Sequence, residues 1–182
     1  MSRPYETPRA PRAAAGDNGG VTRIAIIGGG PAGYEAALVA VQLGAQVQLV
    51  DRDGVGGQCV LADCVPSKTF IATGEAMTSY SQAARVGVHT SGPVSAVIDE
   101  VNARVKALAL AQSHDIRDRL AREGVELLSG DARLLGPGRV EVTGDGTRVL
   151  EADTVLLAVG AHPRVVPGAQ PDGERILDWR QL

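Results

Sequence analysis

Residues 21–51 carry the pattern that most restricts what this chain can fold into. Val21-Thr-Arg-Ile-Ala-Ile-Ile27 is a short β-branched run of the kind that forms a strand buried on both faces. Gly28-Gly-Gly-Pro-Ala-Gly33 breaks it. Tyr34 to Leu43, rich in alanine and leucine, then predicts a helix that Gly44 ends as a C′ residue would. Gln46-Val-Gln-Leu-Val50 predicts a second strand closing at Asp51. Strand, glycine turn, helix and strand in that order make a βαβ unit, whose parallel strands need the helix as their crossover. Gly28 permits a tight turn, Gly30 lets a pyrophosphate approach the backbone, and Gly33 lets helix and strand pack closely. The helix N-terminus, which Pro31 and Ala32 lead into, offers unpaired amides and partial positive charge to phosphates. Asp51, 18 residues past Gly33, can accept hydrogen bonds from ribose hydroxyls. The glycine spacing alone would mean little in a chain with 23 glycines. Its place between strand and helix, with an acid closing the next strand, makes the unit a dinucleotide binder without choosing between FAD and NAD(P).

The rest of the chain completes an α/β pattern. Asp53 to Pro66 reads as a glycine-punctuated loop holding both cysteines. Pro66 suits the first turn of a helix running to about Ala84, on which Phe70, Ile71, Ala76, Met77 and Tyr80 make a mostly apolar face. A long helix is predicted from about Ser95 to Glu123. Its stripe of Val97, Val101, Val105, Leu108, Ile116 and Leu120 is a packing surface rather than a partner-binding coil. Short strands are predicted at residues 125–128, 139–142, 148–151 and 154–159, with Asp145-Gly146 turning between the second and third. Thr154 to Val159 is apolar throughout, which places it inside the sheet. The expected fold is a Rossmann-like domain with a parallel sheet, a small antiparallel segment and a long helix over residues 21–182. Residues 1–20, with three arginines and three prolines, read as a flexible tail.

Composition removes several function classes. Of 182 residues, 18 are Lys or Arg and 21 are Asp or Glu, so the net charge of −3 gives no basic surplus to hold a nucleic-acid backbone. Aromatics at 3% leave little to stack bases on and require an aliphatic core. No stretch is long and apolar enough to span a bilayer, and no apolar block follows the tail as a secretory signal would require. Two cysteines in a chain read as cytoplasmic argue against a structural disulfide framework.

Those cysteines lie in Gly56-Gly57-Gln58-Cys59-Val-Leu-Ala-Asp-Cys64-Val-Pro-Ser-Lys68. Five residues of separation at a helix entry can bring two sulfurs together. A thiolate near a helix N-terminus is stabilised, and Lys68 adds a positive charge one turn past Cys64. Two buried cysteines acting as small apolar residues, or half of a metal site, are the alternatives. The second lacks ligands, because His89, His114 and His162 are distant and show no ligand spacing, so no metal is assigned.

Gly-Gly-x-Cys-x4-Cys-x-Pro-Ser-Lys directly after a βαβ fingerprint resembles the FAD- and disulfide-containing oxidoreductases of the dihydrolipoamide dehydrogenase, glutathione reductase and mercuric reductase group. Ala158-Val159-Gly160-Ala161-His162-Pro163 is similar to the segment with which that family passes the flavin again. The resemblance covers residues 21–182 and implies FAD as cofactor, NAD(P)H as co-substrate and a homodimer at full length. It implies that Gly28, Gly30, Pro31, Ala32 and Gly33 hold the FAD pyrophosphate, Asp51 and Arg52 the adenosine end, and Gly57 and Gln58 the cofactor phosphates. Lys68 would stand near the flavin, Ala132 near the adenine and Gly160 beside the flavin. Cys59 would be the interchange thiol that meets substrate, and Cys64 the charge-transfer thiol against the flavin, with the pair forming a redox-active disulfide.

Departures from the family pattern qualify this. Asp51 stands where the family has glutamate, Val159 where it has threonine, and Gln58 where threonine is usual. No second glycine fingerprint follows, and no late histidine–glutamate pair, so the chain is expected to be the N-terminal part of such an enzyme, with little activity alone. The words around Cys64 and the ending Ile176-Leu-Asp-Trp-Arg-Gln-Leu182 resemble a branch of NAD(P)H–quinone reductases. The expected function is therefore an FAD-dependent NAD(P)H oxidoreductase acting on a small disulfide through Cys59 and Cys64. The alternatives are a quinone reductase with dispensable cysteines, a non-catalytic FAD-binding module, and a flavin-free thiol sensor.

Overall fold

The structure is a computed structural model and describes residues 20–89, 91–178 and 181. The expected tail falls outside these except for Gly20. The fingerprint folds as predicted: β1 (Arg23–Ile27), α1 (Pro31–Gln42) and β2 (Gln46–Asp51), with β1 and β2 parallel and Ile26 level with Leu49. The helix begins earlier than Tyr34, because Pro31 at its first position has the φ a helix needs and no N–H to leave unpaired. Gly44 follows it in the left-handed region at φ +87°, as a C′ residue does.

A four-stranded parallel sheet forms in the order β3 (Glu126–Ser129), β2, β1, β7 (Thr154–Leu157). A three-stranded antiparallel sheet follows the order β4 (Asp131–Gly136), β5 (Arg139–Thr143), β6 (Thr147–Glu151). The β5–β6 turn is the predicted Asp145-Gly146 one, closed by the Gly144 N–H donating to the Gly146 carbonyl. The two faces of β1 explain the layering. Ile26 packs with Ala37, Leu38, Leu49, Leu120 and Val125 under α1 and α4 (Ile98–Arg122), while Ala25 and Ile27 pack with Val50, Val140, Val142 and Leu150 of the small sheet. Helices, parallel sheet and antiparallel sheet thus form three layers, and β1 is buried on both sides as its β-branched run requires.

Several expectations are corrected. The cysteines are not in a loop: Cys59 lies in α2 (Gly57–Leu61) and Cys64 opens α3 (Cys64–Gln82). The breakers Gly56 and Gly57 are confined to one left-handed turn, and Gln58-Cys-Val-Leu beyond them is free to coil. Thr154–Val159 is not interior to the sheet. Among the described residues β7 pairs with β1 alone, and Leu157 is 56% exposed. Apolarity reveals that a strand has faces to bury, not which neighbours it has. Strand β4 went unpredicted, because Arg133-Leu-Leu135 alternates poorly and only its pairing with β5 makes it a strand. The apolar face expected on α3 is largely open, with Ile71 58% exposed, since Thr69 is its one buried residue among those described. On α4 the stripe packs in part: Val105 and Leu120 are buried, with Ala109 and Ser113 beside them, while Val97 and Leu108 stay exposed.

Candidate functional site

The glycines of the turn are glycine for different reasons. A Cβ on Gly28 (φ +104°) would lie 2.3 Å from the Ala158 carbonyl oxygen, and one on Gly33 would lie 1.8 Å from that of Gly28. Both are demanded by the fold, the second by the helix resting directly on the strand end. Gly30 is not: its φ is −69°, and a Cβ there would meet nothing nearer than the Gly57 Cα at 3.9 Å. The protein itself has room for a side chain at Gly30, and its bare backbone leaves open the space before the first turn of α1. The first turn of α1 has no side-chain cap, leaving its amides and partial positive charge directed at the same space.

Asp51 is the hub of the surroundings. One carboxylate oxygen accepts the Gly29 N–H at 2.6 Å, and the other accepts those of Asp53 at 2.8 Å and Gly54 at 2.7 Å. The Gly56 N–H donates to the Gly29 carbonyl at 2.8 Å, and the Ser113 hydroxyl, buried on α4, donates to the Val55 carbonyl at 2.5 Å. The loop from Asp53 to Gly56 is therefore fixed from β2, from the glycine turn and from α4. It sets Gly57 so close to Gly30 that a Cβ on Gly57 would lie 2.7 Å from the Gly30 Cα. Arg52 reaches Asp131 at 3.0 Å and Asp53 at 3.1 Å, and these carboxylates, Asp53 first, hold its guanidinium charged even more firmly than usual.

A cleft of about 780 Å³ gathers most of the residues read from the sequence. Gly28, Gly30, Pro31, Ala32, Asp51, Arg52, Gly57, Gln58, Cys59, Cys64 and Gly160 line it. Gly33 lies behind the turn, Lys68 stands on α3 outside the lining, and Ala132 packs against the core of the small sheet. Sequence reasoning missed Asp53, Asp63 and His162, which also line the cleft, and Ser113 behind it. Only the single polar residue in an apolar helical stripe could have drawn notice to Ser113. The Gln58 side chain donates to the Ala161 carbonyl at 2.7 Å, tying the cysteine segment to the chain after β7.

Cys59 and Cys64 are free thiols whose sulfurs come within hydrogen-bonding reach. The bond to Cys64 pushes the Cys59 thiol up. Burial, the charge of Cys64 and that of Asp63 push the same way, while Lys68 pulls it down. Tyr34 on α1 has its phenol raised by burial first, then by Glu35 and Cys59. An uncapped helix N-terminus, a glycine that the fold leaves bare and a paired dithiol beyond it fit the diphosphate and redox end of a flavin dinucleotide.

The family model described as pyridine nucleotide-disulphide oxidoreductase matches residues 22–181. The NAD(P)H dehydrogenase (quinone) of Mycobacterium tuberculosis is 51% identical over 174 residues, which is 89% of this chain and 35% of that protein. The dihydrolipoyl dehydrogenase of Chlorobaculum parvum is 38% identical over 160 residues, 87% of this chain and 34% of its own length. The crystal structure of LpdA from Mycobacterium tuberculosis superposes with a TM-score of 0.80 at 49% identity, over 89% of this chain and 37% of that one. The chain spans about a third of the length of the curated relatives it matches. The cofactors this family implies are FAD and NAD(P)H. Among the described residues, no helix is long and apolar enough to cross a membrane.

Proposed function

This chain belongs to the pyridine nucleotide-disulphide oxidoreductase family, and from that premise we propose that it carries the pyrophosphate cradle and redox dithiol of an FAD-dependent NAD(P)H oxidoreductase. The observation that carries the proposal is Gly30, bare where the fold would accept a side chain and facing the uncapped first turn of α1. FAD, when bound, would supply a hydride acceptor for NAD(P)H and a relay for its electrons. The chain's own residues do the rest. The amides of the α1 N-terminus meet the diphosphate. Asp51 holds the glycine turn to the following loop while retaining lone pairs for ribose hydroxyls. Arg52, braced by Asp131, stands at the adenosine end. Cys59 and Cys64 cycle between disulfide and dithiol: opening the S–S bond takes two electrons and two protons, one per sulfur. A substrate disulfide reverses this, as Cys59 attacks one of its sulfurs and Cys64 then displaces the mixed disulfide.

A second reading takes a quinone as the final acceptor, with the dithiol dispensable. It is favoured by the 51% identity to a relative named for that activity. One set of measurements on the complete protein tests both. It should purify with one FAD per chain, and Gly30→Val should lose the flavin while melting like the parent stripped of its flavin. A fully loaded Gly30→Val protein would overturn the cradle. Cys59→Ser and Cys64→Ser should each abolish disulfide reduction, and quinone reduction surviving both selects the second reading.

A further inference from the structure

Asp63 sits at the junction of α2 and α3, immediately before Cys64, and lines the cleft with both cysteines. Its main chain is used fully: its N–H donates to the Gln58 carbonyl at 2.8 Å and its carbonyl accepts the Ser67 N–H at 2.8 Å. Its side chain is not. Aspartate at the position before a helix ordinarily accepts a first-turn N–H. Here the backbone is turned to φ −126°, ψ −87°, and no capping bond forms. Among the described residues the carboxylate is exposed and hydrogen-bonds to nothing. An uncommitted negative charge is therefore held beside the dithiol.

We propose that Asp63 is a specificity-determining residue: its free carboxylate sets negative charge against the cysteine pair, disfavours thiolate chemistry there, and biases the site toward a neutral electron acceptor of the quinone class. The inference rests on the function proposed above and selects between its two acceptors. Disulfide exchange needs Cys59 to lose its proton so that its sulfur can form a new S–S bond while the substrate's other sulfur leaves as a thiolate with the electron pair. A nearby carboxylate opposes both the attacking and the departing anion, whereas a quinone arrives neutral and takes electrons and protons together. The direction in which Asp63 moves the Cys59 thiol agrees with this. The other charged or titratable groups that act on Cys59 are Cys64 and Lys68 on α3, and Cys59 in turn acts on Tyr34 of α1. The bond to Cys64 and burial act most on Cys59; of the two charges Lys68 is the stronger, and Asp63 offsets part of what Lys68 supplies.

The test uses the complete protein, reduced, with Asp63→Asn and the charge-keeping Asp63→Glu. Alkylation of Cys59 by uncharged iodoacetamide is followed by peptide mass from pH 6 to 9, which reads thiolate content without any turnover. Asp63→Asn should react roughly threefold or more faster at pH 7, with its midpoint moved to lower pH, since one pH unit is tenfold in thiolate. Asp63→Glu should follow the parent. The ratio of disulfide to quinone reduction rates should rise in Asp63→Asn by a similar factor. Equal alkylation in the parent and Asp63→Asn overturns the inference, as does an unchanged rate ratio. Failure of the parent to oxidise NAD(P)H with either acceptor would instead refute the proposed function, leaving the alkylation result to judge Asp63 by itself.

Discussion

The same substitution at two helical glycines should act with opposite sign, and the structure says by how much. A Cβ added at Gly33 in α1 would stand 1.8 Å from the Gly28 carbonyl oxygen, 3.0 Å from its carbon and 3.4 Å from the Ala158 Cβ. The first two atoms are backbone and cannot rotate aside, so β1's end and α1 must separate by more than an ångström. Overpacking of this kind costs about 1–3 kcal/mol and sometimes more, and a backbone obstacle belongs at the upper end. Alanine recovers about 1 kcal/mol of helix preference over glycine, leaving Gly33→Ala destabilised by roughly 2 kcal/mol. Gly74 in α3 has nothing within 4 Å of its added Cβ and is exposed. Only the helix preference acts there, so Gly74→Ala should gain about 0.5–1 kcal/mol. For a chain of this size 1 kcal/mol moves Tm by about 2–4 °C. Thermal unfolding followed by circular dichroism should thus place Gly33→Ala about 4–8 °C below the parent and Gly74→Ala about 1–4 °C above it. A Gly33→Ala chain that melts at or above the parent would refute the claim that helix and strand are in direct contact at this glycine.

Two further outcomes follow from contacts away from the dithiol. Ser113→Ala leaves the buried Val55 carbonyl without its donor, which should cost about 1–3 kcal/mol and speed amide exchange in the Asp53–Gly56 loop; exchange there that stays as slow as in the parent would show that the bond does not hold the loop. Asp172 accepts the amides of Ile176, Glu174 and Arg175, which hold its carboxyl down to about 2. Because its folded value lies below the unfolded value of about 4, the turn gains stability that is complete above pH 4 and is lost as pH falls through about 2; a carboxyl carbon NMR midpoint near 4 would refute the assignment.

What the sequence alone determined is the part governed by local rules. The βαβ fingerprint, the C′ role of Gly44, the Asp145-Gly146 hairpin and part of the packing stripe of α4 all depend on residues a few positions apart, where periodicity and turn chemistry act directly. The residue types of the cleft were legible for the same reason: Gly28, Gly30, Asp51, Cys59 and Cys64 belong to compact words. Tertiary structure decided whatever depends on a distant partner. Strand β4 exists because β5 pairs with it, and among the described residues β7 lies at the edge of its sheet because β1 alone pairs with it. Thr69 is buried while Phe70 beside it is exposed, although both lie on α3, which packs against α4. Spacing could place an acid at the end of β2, but not show that Asp51 would bind three backbone amides. Nor could it separate the glycines: Gly33 is demanded by a strand end lying against it, whereas the fold leaves room for a side chain at Gly30, and only a folded chain has neighbours to count.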